Sequence, residues 1–309
     1  MRLFITGAAG FVGAATVRAA LAAGHQVAGA FRPGCGAPRL ADLAGQFAPF
    51  AFDLRDGAAV APALAEFRPD AVLHLAWSGV GNKARFDRTQ FADNLDPACL
   101  LVDAAAAAGA KRFVGLGSQG EYGAGNPMQE DGLPTPTTLY GAAKVAALFL
   151  TRQLAHQAGM RHVWLRLFST YGPADNPGWL IPMLATEMLA GRRPQLTLGT
   201  QRWDWLHVDD VAQSIVAAAE AKEMDGVFNL GSGTAVSVRS VAERIRDLAA
   251  PDMELVFGEV PFRPDQVMHM QADIERLVAA TGWRPAIAIE DGLAGVVAWH
   301  RAALAQGAA

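Results

Sequence analysis

The sequence has few of the residues that mark disulfide-stabilised, metal-binding or nucleic-acid-binding proteins. Its 309 residues include only two cysteines, Cys35 and Cys99, and their separation fits no metal-binding spacing. So little cysteine is typical of a reducing compartment, where a small buried thiol is the common state. Asp and Glu number 30 against 26 Lys and Arg, a net charge of −4. A basic surface that coats nucleic acid is therefore not expected, and neither is a metal site.

Long apolar runs are missing as well, although 51% of the residues are hydrophobic. The alanine-rich stretch that ends at Ala23 has the composition of a secretory signal, but Gly7, Gly10 and Gly13 interrupt it. No segment reaches the ~18 consecutive apolar residues that a membrane-spanning helix requires. We therefore expect a soluble, cytoplasmic chain with no membrane partner.

Short apolar runs alternate with longer, alanine-rich amphipathic runs through the first half of the chain. This alternation predicts an α/β fold built on a Rossmann-type, doubly wound parallel sheet with helices on both faces. Ligands of such sheets bind at the carboxyl ends of the strands. The predicted strands are Leu3–Ile5, Val27–Phe31, Phe50–Phe52, Ala71–Leu75, Arg112–Leu116 and Val163–Leu167, and the predicted helices are Phe11–Ala23, Ala58–Phe67, Ala92–Ala108 and Thr138–Ala158.

A glycine-rich segment follows the first predicted strand and opens the first predicted helix. Glycine permits a tight turn and lets the backbone approach a pyrophosphate, while the helix N-terminus adds free N–H groups and partial positive charge. A plain strand-to-helix turn is the alternative. The position between strand and helix favours a dinucleotide site, formed by Gly7, Gly10, Phe11, Val12 and Gly13.

The pattern changes after Gly172, where prolines become frequent and the predicted helices become shorter. Residues 1–171 are interpreted as a dinucleotide-binding domain, to which residues 203–232 return. Residues 172–202 and 233–309 are interpreted as a smaller, mixed α/β lobe that binds the substrate.

Two further positions bear on the cofactor. Asp53 and Leu54 follow the third predicted strand, where a carboxylate and a backbone amide could contact an adenine, and a helix-capping aspartate is the alternative. The second predicted strand ends in Ala30-Phe31-Arg32, without the acidic residue that binds the ribose 2′-hydroxyl of NAD. An arginine suits a 2′-phosphate, so Arg32 predicts NADP(H) as the preferred cofactor. NAD(H) is the alternative if Arg32 is only a solvated loop residue.

The scarcest residues supply the clearest catalytic pattern. The chain has three tyrosines and four lysines, yet Tyr140 and Lys144 are four residues apart on one predicted helix face. A nearby ammonium favours the tyrosinate and lowers the phenol pKa from its unperturbed value of about 10, so the phenol can serve as an acid or base. Ser118 ends the fifth predicted strand region and could bond a substrate oxygen beside Tyr140. The alternative is that Ser118 is an ordinary turn residue, which is the more common role of a single serine in such a position.

These motifs occur together with others in an order that resembles the extended short-chain dehydrogenase/reductases. The resemblance is closest to the group of nucleotide-sugar epimerases, dehydratases and reductases, and it spans nearly the whole chain. The further motifs that carry it are His74-Leu75-Ala76, Asn94, the segment Arg166–Pro173, the segment Asp204–Asp210 and Arg263-Pro264-Asp265.

The resemblance implies roles for individual residues. Tyr140 would be the acid/base, Lys144 would also hold the nicotinamide ribose, and Ser118 would polarise the reacting oxygen. Leu75 and Ala76 would lie against the cofactor. The partner would be a nucleotide-diphospho-sugar, whose diphosphate meets an arginine. The implied substrate-binding residues are Ser118, Gln119, Ser169, Trp179, Arg202 and Arg263.

The same resemblance implies an assembly and a subgroup. Two copies would form a homodimer through the helices Ala92–Ala108 and Thr138–Ala158. The segment Gly117–Gly123 is similar to nucleotide-linked 4-keto-deoxysugar reductases, the CDP-abequose synthase-like subgroup. Gln119 and Gly120 stand where dehydratases carry the Asp-Glu pair that expels water, so dehydration is not expected.

Two other positions depart from the group's pattern. Ser169 stands where an asparagine is common. Members of the group usually have an arginine at the position that Trp203 occupies here, and in this chain an arginine, Arg202, lies one position earlier.

The expected function is NADPH-dependent reduction of a nucleotide-diphospho-4-keto-6-deoxy or dideoxy hexose. Hydride would reach C4 while Tyr140 donates a proton to the oxygen. An NAD-dependent nucleotide-sugar 4-epimerase with the same residues is the nearer alternative. A non-catalytic NADP-binding protein is the more distant one, and the presence of both Tyr140 and Lys144 argues against it.

Overall fold

Two β-sheets form the framework of the protein. The computed structural model describes residues 1–81, 83–123, 128–263 and 266–307. The strands within those ranges are β1 Arg2–Thr6, β2 Gln26–Phe31, β3 Ala48–Ala51, β4 Ala71–His74, β5 Arg112–Ser118, β6 Arg161–Leu167, β7 Ser169–Tyr171, β8 Arg202–His207, β9 Gly226–Leu230, β10 Ala235–Ser237 and β11 His269–Met270.

Helices cover the sheets, and three short 3₁₀ turns accompany them in the described ranges at Pro38–Leu43, Ala84–Phe86 and Gln119–Glu121. The α-helices are α1 Phe11–Ala22, α2 Gly57–Phe67, α3 Thr89–Ala92, α4 Leu95–Ala107, α5 Leu139–Gln157, α6 Leu180–Leu189, α7 Val208–Glu220, α8 Val238–Ala249, α9 Glu275–Thr281 and α10 Ile289–Ala305.

The larger sheet is parallel and has the strand order β3-β2-β1-β4-β5-β6-β9. The chain builds outward from β1 in both directions, so the winding reverses between β1 and β4. The loops after β1, β2, β4 and β5 therefore meet at the carboxyl edge, where open α/β sheets bind ligands. The predicted Rossmann-type, doubly wound parallel sheet is confirmed.

Alternation along the strands divides the core of this sheet between its two faces. Leu3 and Ile5 of β1 pack in a cluster with α1 and α7, whereas Phe4 between them packs in a second cluster with α2 and α4. Successive side chains of a strand point to opposite faces. Burial on both faces explains why β1 is an almost continuous apolar run in the sequence.

The smaller sheet belongs to the second lobe and has β8 at its centre. β8 pairs antiparallel with β10 and parallel with β7 and β11, and α6, α8 and α10 supply the apolar cluster around it. The predicted second, mixed α/β lobe is confirmed. The segment 203–232 divides between the lobes, since α7 packs against α1 and β9 joins the large sheet, whereas β8 lies in the small one.

The predicted single helix over Ala92–Ala108 is interrupted, because α3 ends before Asn94 and α4 begins after it. The Asn94 carboxamide accepts a hydrogen bond from the Ser78 N–H at 2.8 Å and donates to the carbonyls of Ser78 and Gln90. These bonds tie the start of α4 to the loop after β4. The alanine-rich pattern continues through the break, so the break could not be predicted from the sequence.

Two elements differ from the prediction because of proline. The third strand lies at Ala48–Ala51 rather than Phe50–Phe52 and contains Pro49. An edge strand such as β3 tolerates proline because one of its sides makes no hydrogen bonds to a neighbouring strand. Helix α6 lies in the proline-rich stretch after Gly172, where the sequence predicted no helix. Pro182 lies in the first turn, where backbone N–H groups have no intrahelical acceptor in any case.

Candidate active site

A cavity of about 1700 Å³ lies between the carboxyl edge of the large sheet and the second lobe. A pocket for one small ligand typically occupies about 300–1,000 Å³, so this cavity has room for two. The structure brings most of the sequence-predicted site residues into its wall: Gly7, Gly10, Phe11, Val12, Gly13, Arg32, Asp53, Leu54, Leu75, Ala76, Ser118, Gln119, Tyr140, Lys144, Ser169, Trp179 and Arg263.

The glycine-rich loop at one end of the cavity depends on bare backbone. Gly7 has φ +71°, and a Cβ at Gly13 would lie 2.0 Å from the Gly7 carbonyl oxygen. The N–H groups at the start of α1 have no intrahelical acceptors, and Gly10, Phe11, Val12 and Gly13 all line the cavity. Free donors at a helix N-terminus attract phosphate. The loop therefore fits the pyrophosphate of a dinucleotide.

The charged groups beside the predicted adenosine region are exposed. Arg55 donates two side-chain hydrogen bonds to the Asp53 carboxylate, at 3.1 and 2.7 Å, and this pairing lowers the pKa of Asp53 to about 2. Arg55 also lies 3.3 Å from Asp93. Arg32 is exposed in the cavity wall, close enough to Asp53 to contribute to the same lowering of its pKa. Asp53 is therefore ionised and already paired with Arg55.

Tyr140 lies in the first turn of α5 and is buried in the cavity wall. The Thr138 side chain begins the helix by accepting a hydrogen bond from the Gly141 N–H at 3.0 Å. A Cβ at Gly141 would lie 2.1 Å from the Gly120 carbonyl oxygen, so glycine lets α5 approach the turn after β5. This close approach sets Tyr140 beside Ser118. Burial raises the pKa of Tyr140, and a hydrogen-bonding interaction with Ser118 opposes that rise.

Lys144 is buried one turn further along α5. Its ammonium donates a hydrogen bond to the Leu116 carbonyl oxygen at 2.6 Å and lies 3.6 Å from the centroid of the Trp77 ring. The Tyr140 ring centroid is 5.9 Å away. Burial lowers the pKa of Lys144 to about 7. The structure thus brings Ser118, Tyr140 and Lys144 together at one end of the cavity.

Comparisons with known proteins agree with this geometry. The model of the NAD dependent epimerase/dehydratase family matches residues 3–231. The chain belongs to that family. The resemblance inferred from the motifs is confirmed.

Three relatives within the epimerase/dehydratase family cover nearly the whole chain. A dTDP-glucose 4,6-dehydratase from Streptomyces niveus is 29% identical, over 97% of this chain and 93% of the relative. A GDP-6-deoxy-D-mannose reductase from Pseudomonas aeruginosa is 28% identical over 96% of each chain. The structure of UDP-glucose 4-epimerase from Thermus thermophilus in complex with NAD has a TM-score of 0.86 at 26% identity, covering 98% of this chain and 100% of that one. The chain is therefore an enzyme of the nucleotide-sugar epimerase, dehydratase and reductase group.

Sequence reasoning missed a buried ion pair directly beneath Ser118. The Glu121 carboxylate accepts hydrogen bonds from the Ser118 N–H at 2.8 Å, the Trp164 indole at 2.9 Å and the Arg166 guanidinium at 2.8 Å. The Ser118 hydroxyl in turn accepts from the Gly120 N–H at 3.1 Å. Glu121 and Arg166 thus hold Ser118 in place. The spacing from Ser118 to Glu121 is that of a capping box, which was the available signal.

A second missed residue lies at the glycine-rich loop. The Arg39 guanidinium donates to the Ala174 carbonyl oxygen at 2.8 and 3.1 Å and to the Ala9 carbonyl oxygen at 3.4 Å, in the cavity wall. Arg39 therefore joins the glycine-rich loop to the chain segment that follows β7. No motif surrounds Arg39, so the sequence offered no signal for it.

The structure places Arg202 away from the other predicted substrate-binding residues. Arg202 was expected to contact substrate, but its guanidinium donates to the Ala235 carbonyl on β10, and Arg202 is outside the described cavity wall. Its neighbour Trp203 lines the cavity instead, because successive side chains of a strand point to opposite sides. Arg263 and Ser169 are in the wall as expected. Pro264 and Asp265 of the Arg263 motif lie outside the described residues.

The described ranges contain neither a candidate metal-binding cluster nor a helix that could span a membrane. Among residues 1–81, 83–123, 128–263 and 266–307, no group of three or more His, Cys, Asp or Glu side chains is arranged to hold a metal ion. In the same part of the chain, every helix is too short or too polar to cross a membrane.

Proposed function

We propose that this enzyme reduces the 4-keto group of a nucleotide-diphospho-6-deoxy or dideoxy hexose with NAD(P)H. The observation that carries the proposal is that Ser118, Tyr140 and Lys144 are buried together. In addition, Ser118 is followed in the sequence by Gln119 and Gly120 rather than by acidic residues. The similarity to a GDP-6-deoxy-D-mannose reductase is consistent with it. Gln119, Ser169, Trp179 and Arg263 are proposed to contact the substrate.

The proton chemistry follows from the positions of three side chains. When bound, the nicotinamide supplies a hydride for the C4 carbonyl carbon. Tyr140 donates its phenolic proton to the C4 oxygen as negative charge develops there, and the Ser118 hydroxyl hydrogen-bonds the same oxygen. Both residues are buried in the protein and line the cavity, so the packing around them limits the positions of their hydroxyl groups. Lys144 binds the nicotinamide ribose and places a cation near Tyr140, and solvent returns the proton to Tyr140 after turnover.

Dehydration fits the residues poorly. Expelling water from a sugar requires an acid and a base near C5 and C6, and neither Gln119 nor Gly120 ionises. The nearest carboxylate in that segment, Glu121, is fully buried and bonded to Arg166, Trp164 and the Ser118 backbone. That carboxylate therefore holds Ser118 and does not face the substrate.

The proposed cofactor preference is NADPH, because Arg32 lies in the cavity wall at the end of β2. Its positive charge suits a 2′-phosphate, whereas the carboxylate that would bind a 2′-hydroxyl is missing at Phe31. NAD(H) is the alternative, supported by the family's NAD-dependent description. An exposed guanidinium can also stay in solvent without contacting the ribose.

A nucleotide-sugar 4-epimerase is the second candidate, favoured by the similarity to an epimerase in complex with NAD. The test is a panel of CDP-, dTDP- and GDP-4-keto-6-deoxyhexoses assayed with NADPH and with NADH, beside UDP-glucose. Stoichiometric loss of reduced-cofactor absorbance with one keto sugar supports the reductase. Conversion of UDP-glucose to its C4 epimer with no net change in that absorbance contradicts the reductase and supports the epimerase.

We also propose that the enzyme is a homodimer through α4 and α5. Leu100 on α4 and Phe149 and Leu150 on α5 are large apolar side chains exposed on these helices. A surface of this kind is suited to burial between two copies. Light scattering coupled to gel filtration is expected to give twice the chain mass, and a monomeric mass would contradict the proposal.

A further inference from the structure

Two cationic side chains lie near the Tyr140 ring. The Lys144 ammonium is 5.9 Å from the Tyr140 ring centroid and is engaged elsewhere, by the Leu116 carbonyl and the Trp77 ring. The Arg85 guanidinium carbon is closer, at 5.0 Å from the same centroid. Arg85 is therefore the nearer of the two cations to the Tyr140 ring.

The two charges also differ in how firmly they are held. Burial lowers the pKa of Lys144 to about 7, so its ammonium can lose its proton near neutrality. A guanidinium keeps its charge throughout the pH range in which proteins work. Near neutrality, Arg85 thus supplies a permanent positive charge beside Tyr140, whereas the charge of Lys144 varies with pH.

The local structure directs the Arg85 charge at the aromatic side chains. Arg85 lies in the 3₁₀ turn Ala84–Phe86, half-buried in the cavity wall, and its Nε donates to the Val80 carbonyl oxygen at 3.1 Å. Its guanidinium carbon is 5.9 Å from the Trp179 ring centroid. Within the described ranges, no acidic side chain pairs with Arg85. A cation over an aromatic ring is attracted to its face, and that attraction grows when the ring belongs to a phenolate.

We propose that Arg85 is a positioning residue that stabilises the anionic form of Tyr140 each time Tyr140 transfers its proton. This proposal rests on the acid/base role of Tyr140 in the proposed function. Removing Arg85 would leave Lys144 as the only cation near the phenolate among the described residues. The proton transfer would then be slower and more dependent on pH.

The other polar groups around Tyr140 do not replace Arg85. Ser118 on β5 and Arg85 both lower the Tyr140 pKa, whereas burial and the negative charge of Glu121, in the turn after β5, raise it. Lys144 lies on the same helix as Tyr140, with its ammonium hydrogen-bonded to Leu116. Arg85 is thus the cation that lowers the Tyr140 pKa in this arrangement.

The first test is a spectroscopic titration of the tyrosines, which requires no turnover. The chain has only three tyrosines. Burial raises the pKa of Tyr122 to about 12 and also raises that of Tyr171. The tyrosinate absorbance of the parent protein minus that of Y140F reports Tyr140 alone, in the cofactor-free and the cofactor-bound protein.

In this titration, R85M is expected to raise the Tyr140 pKa by about one unit, the effect of losing a charge within about 4–6 Å. R85K should restore most of that difference, because it restores the charge. R88M is the matched control, since Arg88 is exposed and follows Arg85 by three residues. An unchanged Tyr140 pKa in R85M, or an equal shift in R88M, overturns the proposal.

The second test is the pH profile of turnover with the substrate identified by the panel. R85M should move the alkaline limb of kcat to higher pH by about the same unit and lower kcat near neutrality by up to about tenfold. R85K should recover both. A rise in KM with an unshifted kcat profile would overturn the proposal and assign Arg85 to substrate binding. If Y140F proved active, the proposed function would fail, while the titration would still decide whether Arg85 acts on Tyr140.

Discussion

At the end of the cavity that holds Tyr140, the side chains of Lys144, Glu121 and Arg166 are buried and bonded to the protein. At the other end, Arg32 and Arg55 are exposed to water and Asp53 is half-buried. The Arg166 and Glu121 side chains beneath Ser118 are 2% and 0% exposed. The Arg55 and Asp53 side chains are 59% and 33% exposed. Both pairs have short N···O distances, 2.8 and 2.7 Å, so distance alone does not distinguish them.

Because the Arg166–Glu121 pair is buried and the Arg55–Asp53 pair is largely accessible to water, substitutions in the two pairs should have different effects. Removing one partner of a buried pair leaves an uncompensated charge in a low-dielectric interior, which is strongly destabilising. Water takes over the role of either partner in an exposed pair. Substitutions at the Tyr140 end should therefore affect the fold or the chemistry, and substitutions at the other end should affect cofactor choice.

The largest effect is expected for Y140F at the buried end. Losing a positioned acid/base typically lowers the rate by about 10²–10⁴-fold, and the ring of phenylalanine preserves the packing. Turnover of the keto-sugar substrate should fall within that range, while cofactor affinity, measured by fluorescence titration, should change little. A near-normal rate would show that another group supplies the proton.

The next largest effect is expected for E121Q, which leaves the Arg166 charge buried and unpaired. The free energy of unfolding should fall by about 3–5 kcal/mol, measured by chemical denaturation at neutral pH. R55Q provides the exposed counterpart, for which little or no change in the free energy of unfolding is expected, because water replaces either partner of an exposed pair. Equal losses in the two variants would remove the distinction between the two ends.

A change in cofactor preference, without loss of stability, is expected for R32A at the exposed end. A hydrogen bond to a charged group contributes about 1.5–3 kcal/mol, so the ratio of kcat/KM for NADPH to that for NADH should fall by about 10–150-fold. Arg88, an exposed arginine outside the described cavity wall, is the control. A ratio unaffected by R32A would mean that Arg32 stays in solvent and that NADPH is not preferred through it.

The smallest effect is expected for D53N, and its sign depends on pH. Because Arg55 lowers the pKa of Asp53 to about 2, the carboxylate stabilises the fold above its unfolded pKa, which is about 3.9. That stabilisation, at most about 1 kcal/mol for an exposed pair, should decline as pH falls from 4 towards 2. Urea denaturation of both proteins at neutral and acidic pH checks it. A difference that grew on acidification would contradict the assignment of the charge to Asp53.

The sequence predicted those parts of the site that depend on local spacing. The loop of Gly7, Gly10 and Gly13 is recognisable because its function is carried by backbone at a strand–helix junction. Tyr140 and Lys144 are recognisable because one helical turn separates them and both residue types are scarce. Each of these predictions required knowledge of only one segment of the chain.

The parts that could not be predicted join segments far apart in the sequence. Glu121 meets Arg166 across 45 residues, and Arg39 meets Ala174 across 135. The position of Arg202 outside the described cavity wall was unpredictable for a related reason, since only the packing of β8 against the second lobe decides which of its side chains face the cavity. The division of the predicted helix at Asn94 likewise depends on Ser78, in a loop that the helical pattern does not include.

The sequence by itself determined the parallel α/β architecture, the glycine-rich loop after β1 and the placement of Tyr140 and Lys144 on one helix face. All three follow from periodicity or spacing within short segments, where backbone geometry fixes which side chains share a face. Only the tertiary structure decided which charges are buried, which of them are paired, and that Arg85 lies closer to the Tyr140 ring than Lys144 does. Burial and long-range pairing set the strength of an electrostatic interaction, and both arise from the packing of distant segments rather than from the order of residues within one.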